Sequence, residues 1–231
     1  VYEICNVEMT KQQCVIYTQL CEEALVKLGD NLLTSTSALT TIEKLHQICC
    51  GHVRDDDGNV QQLENNRIPM LMELLEKLEN KKVIIWCNYQ ADVENIMLAL
   101  SNRRAMTRSN EYAVHYYGKT STDDRAMAIH QFKKDPLCKW FVGTGATGGK
   151  GITLVESHYT IYFSNSYRLE TRLQSEDRNH RIGQTNKVTY IDMRCPGTVD
   201  DKIIKALKEK KDLASEILDT SRFEEFIRLT T

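Results

Sequence analysis

The 231-residue chain is short of the residues that break a backbone, with only 3 prolines and 11 glycines. There is no proline-rich spacer, low-complexity linker or internal repeat to divide it. It has no run of about 18 apolar residues, which excludes a helical membrane span. Neither a signal peptide nor a transit peptide is recognisable. Valine rather than methionine opens the chain, as expected of a piece of a longer polypeptide. Eight cysteines (5, 14, 21, 49, 50, 87, 138, 195) make no CxxC pair and keep no regular spacing. That pattern predicts reduced thiols in a cytoplasm-like compartment rather than a disulfide scaffold. A net charge of −2 leaves no whole-chain excess to attract a polyanion.

What is present is enough for a globular core: 41% of residues are apolar and 27% charged. The charge is unevenly spread. Residues 1–80 carry 6 basic and 13 acidic side chains, whereas 81–231 carry 24 and 19. A polyanionic partner is therefore expected on the second part. Five of the glycines fall within 143–151, where the backbone needs freedom or a close approach.

Apolar spacing predicts helices over 10–28, 36–50 and 67–79, with a hairpin tip at 54–59. From residue 82 the pattern changes. Short apolar runs at 83–86, 113–117, 140–143, 159–163 and 188–193 read as strands. Helical stretches at 90–101, 122–134 and 168–180 lie between them. This alternation predicts an α/β domain, a parallel sheet with helices on both faces. The sequence Pro196-Gly197 ends it, and amphipathic helices follow at 200–218 and 221–229. The expected division is a helical segment over 1–65, the α/β domain over 66–197 and bracing helices over 198–231.

Three stretches look like chemistry. Ala113–Thr120 (AVHYYGKT) fits a loose phosphate-loop pattern, but its inner residues favour a strand over a flexible cradle. Gly143-Thr-Gly145-Ala-Thr-Gly148 is a literal GxGxxG. A dinucleotide site also needs a carboxylate about 20 positions on, and the next strand ends in Ser164-Asn165. The third stretch is QSEDRNHRIGQ at 174–184. Its Gln174, Arg178 and Arg181 are spaced by 4 and 3, one face of a helix. Two guanidiniums there suit an oxyanion clamp acting on a phosphate held elsewhere. Spacing alone leaves a solvated face paired with Glu176 and Asp177 equally open.

QSEDRNHRIGQ closely resembles the last helicase motif of the Swi/Snf family of superfamily-two DNA translocases. VIIWCNY at 83–89 resembles the family's fourth motif, and YYGKTSTDDRAMAIHQF at 116–132 its G-x-T/S…R…F segment. GTGATGGKGITL at 143–154 is similar to the fifth motif. The flanking MTKQQCVIYTQL, LTTIEKLHQICCG and GTVDDKIIKALKEKKDLASEIL resemble the helical segments around this lobe. The likeness runs over nearly the whole chain and looks most like phage or prophage members. Two departures stand out: Ser166-Tyr-Arg-Leu169 where the family has an aspartate and W-N-P, and Asn88-Tyr89 for the commoner Gln-Phe.

The resemblance implies a RecA-like C-terminal lobe, with ATP and Mg²⁺ held mainly by a first lobe whose motifs are not here. It implies Arg178 and Arg181 as arginine fingers, and Gln174, Gly149 and Gly151 beside the nucleotide. Thr144, Gly145, Asn88 and Tyr89 are then expected on double-stranded DNA. It further implies a cytoplasmic protein of a bacterium or a phage-infected host, inactive as an ATPase by itself. A stand-alone DNA-binding or regulatory module, or a nucleotide-dependent oxidoreductase built on the GxGxxG, are the alternatives. His46, Cys49, Cys50 and His52 cluster in sequence like metal ligands, but Cys49 points off the His46–Cys50 face. A buried helix end is expected there, and no metal site.

Overall fold

The computed structural model describes residues 1–30, 34–147, 152–179, 184, 186–211, 223–224 and 227–228. In chain order its elements are β1 (Tyr2–Asn6), α1 (Lys11–Gly29), α2 (Ser35–Cys50), β2 (His52–Arg54) and β3 (Val60–Gln62). There follow α3 (Arg67–Lys77), β4 (Val83–Cys87), α4 (Gln90–Thr107), β5 (Tyr112–Tyr116) and α5 (Thr122–Lys134). The last are β6 (Cys138–Thr144), β7 (Tyr159–Tyr162), α6 (Leu169–Glu176), β8 (Thr189–Arg194) and α7 (Val199–Lys208). Two compact units result: residues 1–5, 68–166 and 170–193, and residues 6–67, 167–169 and 194–231. Among the described residues no helix is long and apolar enough to cross a membrane.

The first unit is built on a six-stranded sheet in the order β1-β8-β7-β4-β6-β5. The pairs β4/β6, β4/β7, β5/β6 and β7/β8 are all parallel. The central strands read as unbroken apolar runs because both their faces are covered; every residue of β4 is buried. From β4 the chain passes over β6 to β5 through α4, then returns to β6 through α5. Right-handed crossovers running in opposite directions put α4 and α5 on opposite faces. One face buries Ile84, Trp86, Phe132, Phe141 and Tyr162 in a continuous core. This is the parallel α/β sheet that the alternation predicts, in the RecA-like form that the resemblance implies.

Boundaries moved where tertiary contacts decide them. The helix expected over 90–101 runs on to Thr107 and stops at Arg108, whose φ is 52°. The helix expected over 168–180 closes early, at Glu176. β1, an edge strand with mostly exposed residues, carries no alternation and was not expected.

In the second unit α1 and α2 both start with a capping box, Thr10 with Gln13 and Thr34 with Ser37. The α2 end needs Gly51, whose φ is +91° and where a Cβ would lie 2.2 Å from the Asn65 side chain. Gln13, buried in α1, donates to the Ile48 carbonyl at 2.6 Å and so satisfies a helix-end acceptor. β2 and β3 form the expected hairpin, its turn held by Asp55, which accepts from the Asn59 N–H at 2.7 Å. α7 buries Val199, Ile203, Ile204 and Ala206, and the Tyr17 hydroxyl accepts from the Val199 N–H at 2.9 Å.

Candidate functional site

All the strands joined in parallel end at the same edge of the first unit's sheet, where ligands of such folds gather. Asn88 and Tyr89 follow β4, Thr144 ends β6, and Gly145 comes next. Cys87 and Thr144 are neighbours in the ladder, and the Gly145 N–H reaches the Cys87 carbonyl at 3.4 Å. These four residues of the sequence reading are therefore brought to one edge.

Their backbone is pinned from below. The Asn88 N–H donates to Ser164 Oγ at 2.7 Å, and that hydroxyl donates to Asp92 Oδ2 at 2.5 Å. Asp92 is fully buried in the first turn of α4, where the helix dipole favours a carboxylate. Thr144 is itself buried, with its hydroxyl on that of Thr147 at 2.8 Å. Gly145 lets α6 approach: a Cβ there would lie 3.0 Å from Thr171 Cγ2.

α6 carries Gln174 on its exposed side, bonded to Glu170 Oε1 at 2.8 Å. Arg178 lies past the helix end, with its side chain buried and its carbonyl accepting from the Leu154 N–H at 2.7 Å. The shared helical face expected for Gln174 and Arg178 is not formed. Two short-range bonds, Arg178 N–H to Ser175 O and Asn179 N–H to Glu176 O, tighten the chain into a turn. Arg181, Gly149 and Gly151 lie outside the described residues, as do Gly148 and His180. Gln184, which closes the motif, is described. Its amide nitrogen faces the carbonyls of Val155, Ser157 and Asn179, each at 3.2 Å, and so ties two loops together.

Sequence reasoning missed Arg172. Its guanidinium meets Glu176 Oε1 through Nε at 2.7 Å, Asn165 Oδ1 through Nη1 at 2.6 Å and both oxygens of Asp192. It also stacks 3.4 Å from the centre of the Tyr162 ring. Burial opposes the charge, yet Tyr162 and Asp192 push its pKa further up. Only the Glu176 partner, four residues on, could have been found from spacing.

The other candidates resolve physically. Residues 113–116 of the phosphate-loop match are strand, and Lys119 forms an ion pair with Glu94 at 2.6 Å. Arg125 donates to the Tyr117 carbonyl at 3.1 Å and holds the loop before its helix. Gly143 of the GxGxxG sits inside β6, where a Cβ would come 2.6 Å from the Tyr116 carbonyl oxygen. Its smallness serves strand packing, not a dinucleotide turn. Cys49 and Cys50 do end a buried helix. The ligand-type atoms that gather there are those of Cys49, Cys195 and Asp200, within 4.8 Å of one another. The Arg67 guanidinium is the cation among them, bonded to Asp200 and Cys195.

Residues 66–183, just over half of the chain, match the family described as helicase conserved C-terminal domain. The chain is 26% identical over 198 residues to the ATP-dependent helicase FUN30 of Saccharomyces cerevisiae, covering 83% of this chain and 17% of that protein. It is 25% identical over 228 residues to the S. cerevisiae DNA repair and recombination protein RDH54, covering 91% of this chain and 24% of that one. It thus spans less than a quarter of the length of these relatives. Among solved structures, the Sulfolobus solfataricus SWI2/SNF2 ATPase core in complex with dsDNA superposes with a TM-score of 0.74. That match is 24% identical and covers 99% of this chain and 48% of the other.

Proposed function

Because the chain belongs to the helicase conserved C-terminal domain family, we propose that it is the second lobe of a Swi/Snf-type, ATP-driven translocase on double-stranded DNA. The observation that carries this is the convergence of Asn88, Tyr89, Thr144 and Gly145 on one sheet edge, beside the helix that leads to Arg178. The placing among phage or prophage members rests on motif spelling alone.

In this reading ATP lies between this lobe and a first lobe of the same polypeptide, which holds the triphosphate and Mg²⁺. The residues described fit that division. Lys119 is engaged with Glu94. The carboxylates near the strand ends, Asp92 and Asp192, are bonded to Ser164 and to Arg172 with Asn165. Arg178 and Arg181 reach the γ-phosphate and stabilise the charge that develops in transfer, an effect worth ~10³–10⁵ in rate. Gln174 orients the nucleotide side of that helix, while Gly149 and Gly151 let the backbone come close to the ribose. Asn88, Tyr89, Thr144 and Gly145 track the phosphate backbone of the duplex, without reading bases. Cleft closure on ATP and opening after hydrolysis then move the lobe along DNA.

DNA binding is tested by fluorescence anisotropy with labelled duplexes of unrelated sequence across a salt series. The expected result is sequence-independent binding that weakens with salt. Asn88→Ala combined with Thr144→Ala should weaken it ~10-fold while circular dichroism stays unchanged. Salt-insensitive binding, or an unaffected double variant, would contradict the assignment.

A further inference from the structure

The second compact unit contains chemistry that the proposed function does not use. Cys49 and Cys50 end α2, Arg67 begins α3, Cys195 follows β8, and Asp200 lies in the first turn of α7. Arg67 is wholly buried. Its Nη1 donates to Cys50 Sγ at 3.4 Å, and its Nη2 to Cys195 Sγ at 3.6 Å and to Asp200 Oδ2. The other Asp200 oxygen faces His46 Nε2 at 3.0 Å. The Cys195 thiol points back at α2 and donates to the Cys49 carbonyl at 3.7 Å. The sulfurs of Cys49 and Cys195 lie within 4.8 Å of each other and of an Asp200 oxygen.

We propose that Cys49 and Cys195 form an oxidisable dithiol site, which reacts with a peroxide and closes to a disulfide that staples the end of α2 to the segment after β8. The surroundings give the two sulfurs different roles. The Cys49 side chain, donating toward the Cys195 sulfur, and the Arg67 guanidinium lower the Cys195 pKa, so this sulfur is the nucleophile. Burial pushes the Cys49 thiol well up, so it stays protonated until its turn. The Cys195 thiolate attacks one peroxide oxygen; an S–O bond forms, the O–O bond breaks, and the hydroxide that leaves is protonated to water. Cys49 Sγ then attacks the sulfenic sulfur; the S–S bond forms, the S–O bond breaks, and water leaves with the Cys49 proton. In total two thiols lose two electrons and two protons, and one hydrogen peroxide becomes two waters.

Cys49 is 0% and Cys195 1% exposed, so oxidation proceeds through local opening and is slower than at a surface thiol. The other cysteines give internal controls. Cys14 is exposed. Cys87 is buried beside Asp92 with its pKa well raised, and Cys138 is pushed up to about 11 by burial.

The test is a hydrogen peroxide time course on this chain, stopped with iodoacetamide and mapped by mass spectrometry of non-reduced peptides. The expected product is a peptide linking Cys49 to Cys195 that disappears on reduction. Because 146 positions separate the two residues, the closed loop is long, and the melting temperature should rise by roughly 5–10 °C over the reduced chain. Cys50→Ser should keep the link and Cys195→Ser lose it. If the latter variant does not fold, the wild-type map still decides. Cys14 oxidised while Cys49 and Cys195 are both recovered alkylated would overturn the proposal, and so would a link from Cys195 to Cys50.

Discussion

Arg172 spends its whole guanidinium inside the protein, on Asn165, Glu176 and Asp192 and on the Tyr162 ring. Arg172→Gln would leave the Asp192 carboxylate, 4% exposed, without its cation. Breaking such a buried pair from one side costs about 3–5 kcal/mol, and urea unfolding should show that loss with an unchanged slope. A loss below ~1 kcal/mol would mean that the network relaxes around the gap. Arg172 illustrates the limit of reading side chains from sequence. Its main partner lies 20 positions away on strand β8, and no local spacing announces it. Gly143 was visible as a glycine but not as a packing residue, because the Tyr116 carbonyl that crowds it belongs to the neighbouring strand.

At the scale of elements, the apolar runs of β4 and β6 and the helices between them were legible, since central parallel strands must be apolar throughout. The end of α6 was not: its early close at Glu176 follows from the turn that hands the Arg178 carbonyl to Leu154. Thr198 opens α7 by accepting from the Asp200 N–H. The Asp200 carboxylate then ties α7 to His46 of α2 and to Arg67. Burial alone would raise its pKa, but Arg67 and His46 hold it at about 2, against 3.8 for an unpartnered group. A lowered carboxylate pKa contributes stability above the unfolded value, which is lost as pH falls through the folded one. Asp200 should therefore contribute about 2 kcal/mol at neutral pH, disappearing between roughly pH 4 and pH 2. Urea titrations over that range should show a steeper fall for wild type than for Asp200→Asn. Parallel curves would assign the ion pair no pH-dependent role.

For the molecule as a whole, motif order was the legible signal. It placed Asn88, Tyr89, Thr144 and Gly145 at one sheet edge because each follows or ends a strand of the same parallel sheet. What the motifs could not convey is how that edge is held. Ser164 joins the Asn88 turn to Asp92 through bonds between segments 72 to 76 residues apart. The Cys49–Cys195–Asp200 gathering was equally hidden, because only Cys49 lies within the cluster visible in sequence. As proposed, this lobe completes an ATPase whose triphosphate is held by a first lobe. The decisive experiment is ATP hydrolysis with and without double-stranded DNA, by this chain alone and joined to a first lobe carrying a phosphate loop. No turnover is expected from the chain alone and DNA-stimulated turnover from the joined protein, falling at least ~10³-fold on Arg178→Ala. DNA-stimulated turnover by the chain alone, or a joined protein indifferent to Arg178→Ala, would contradict it.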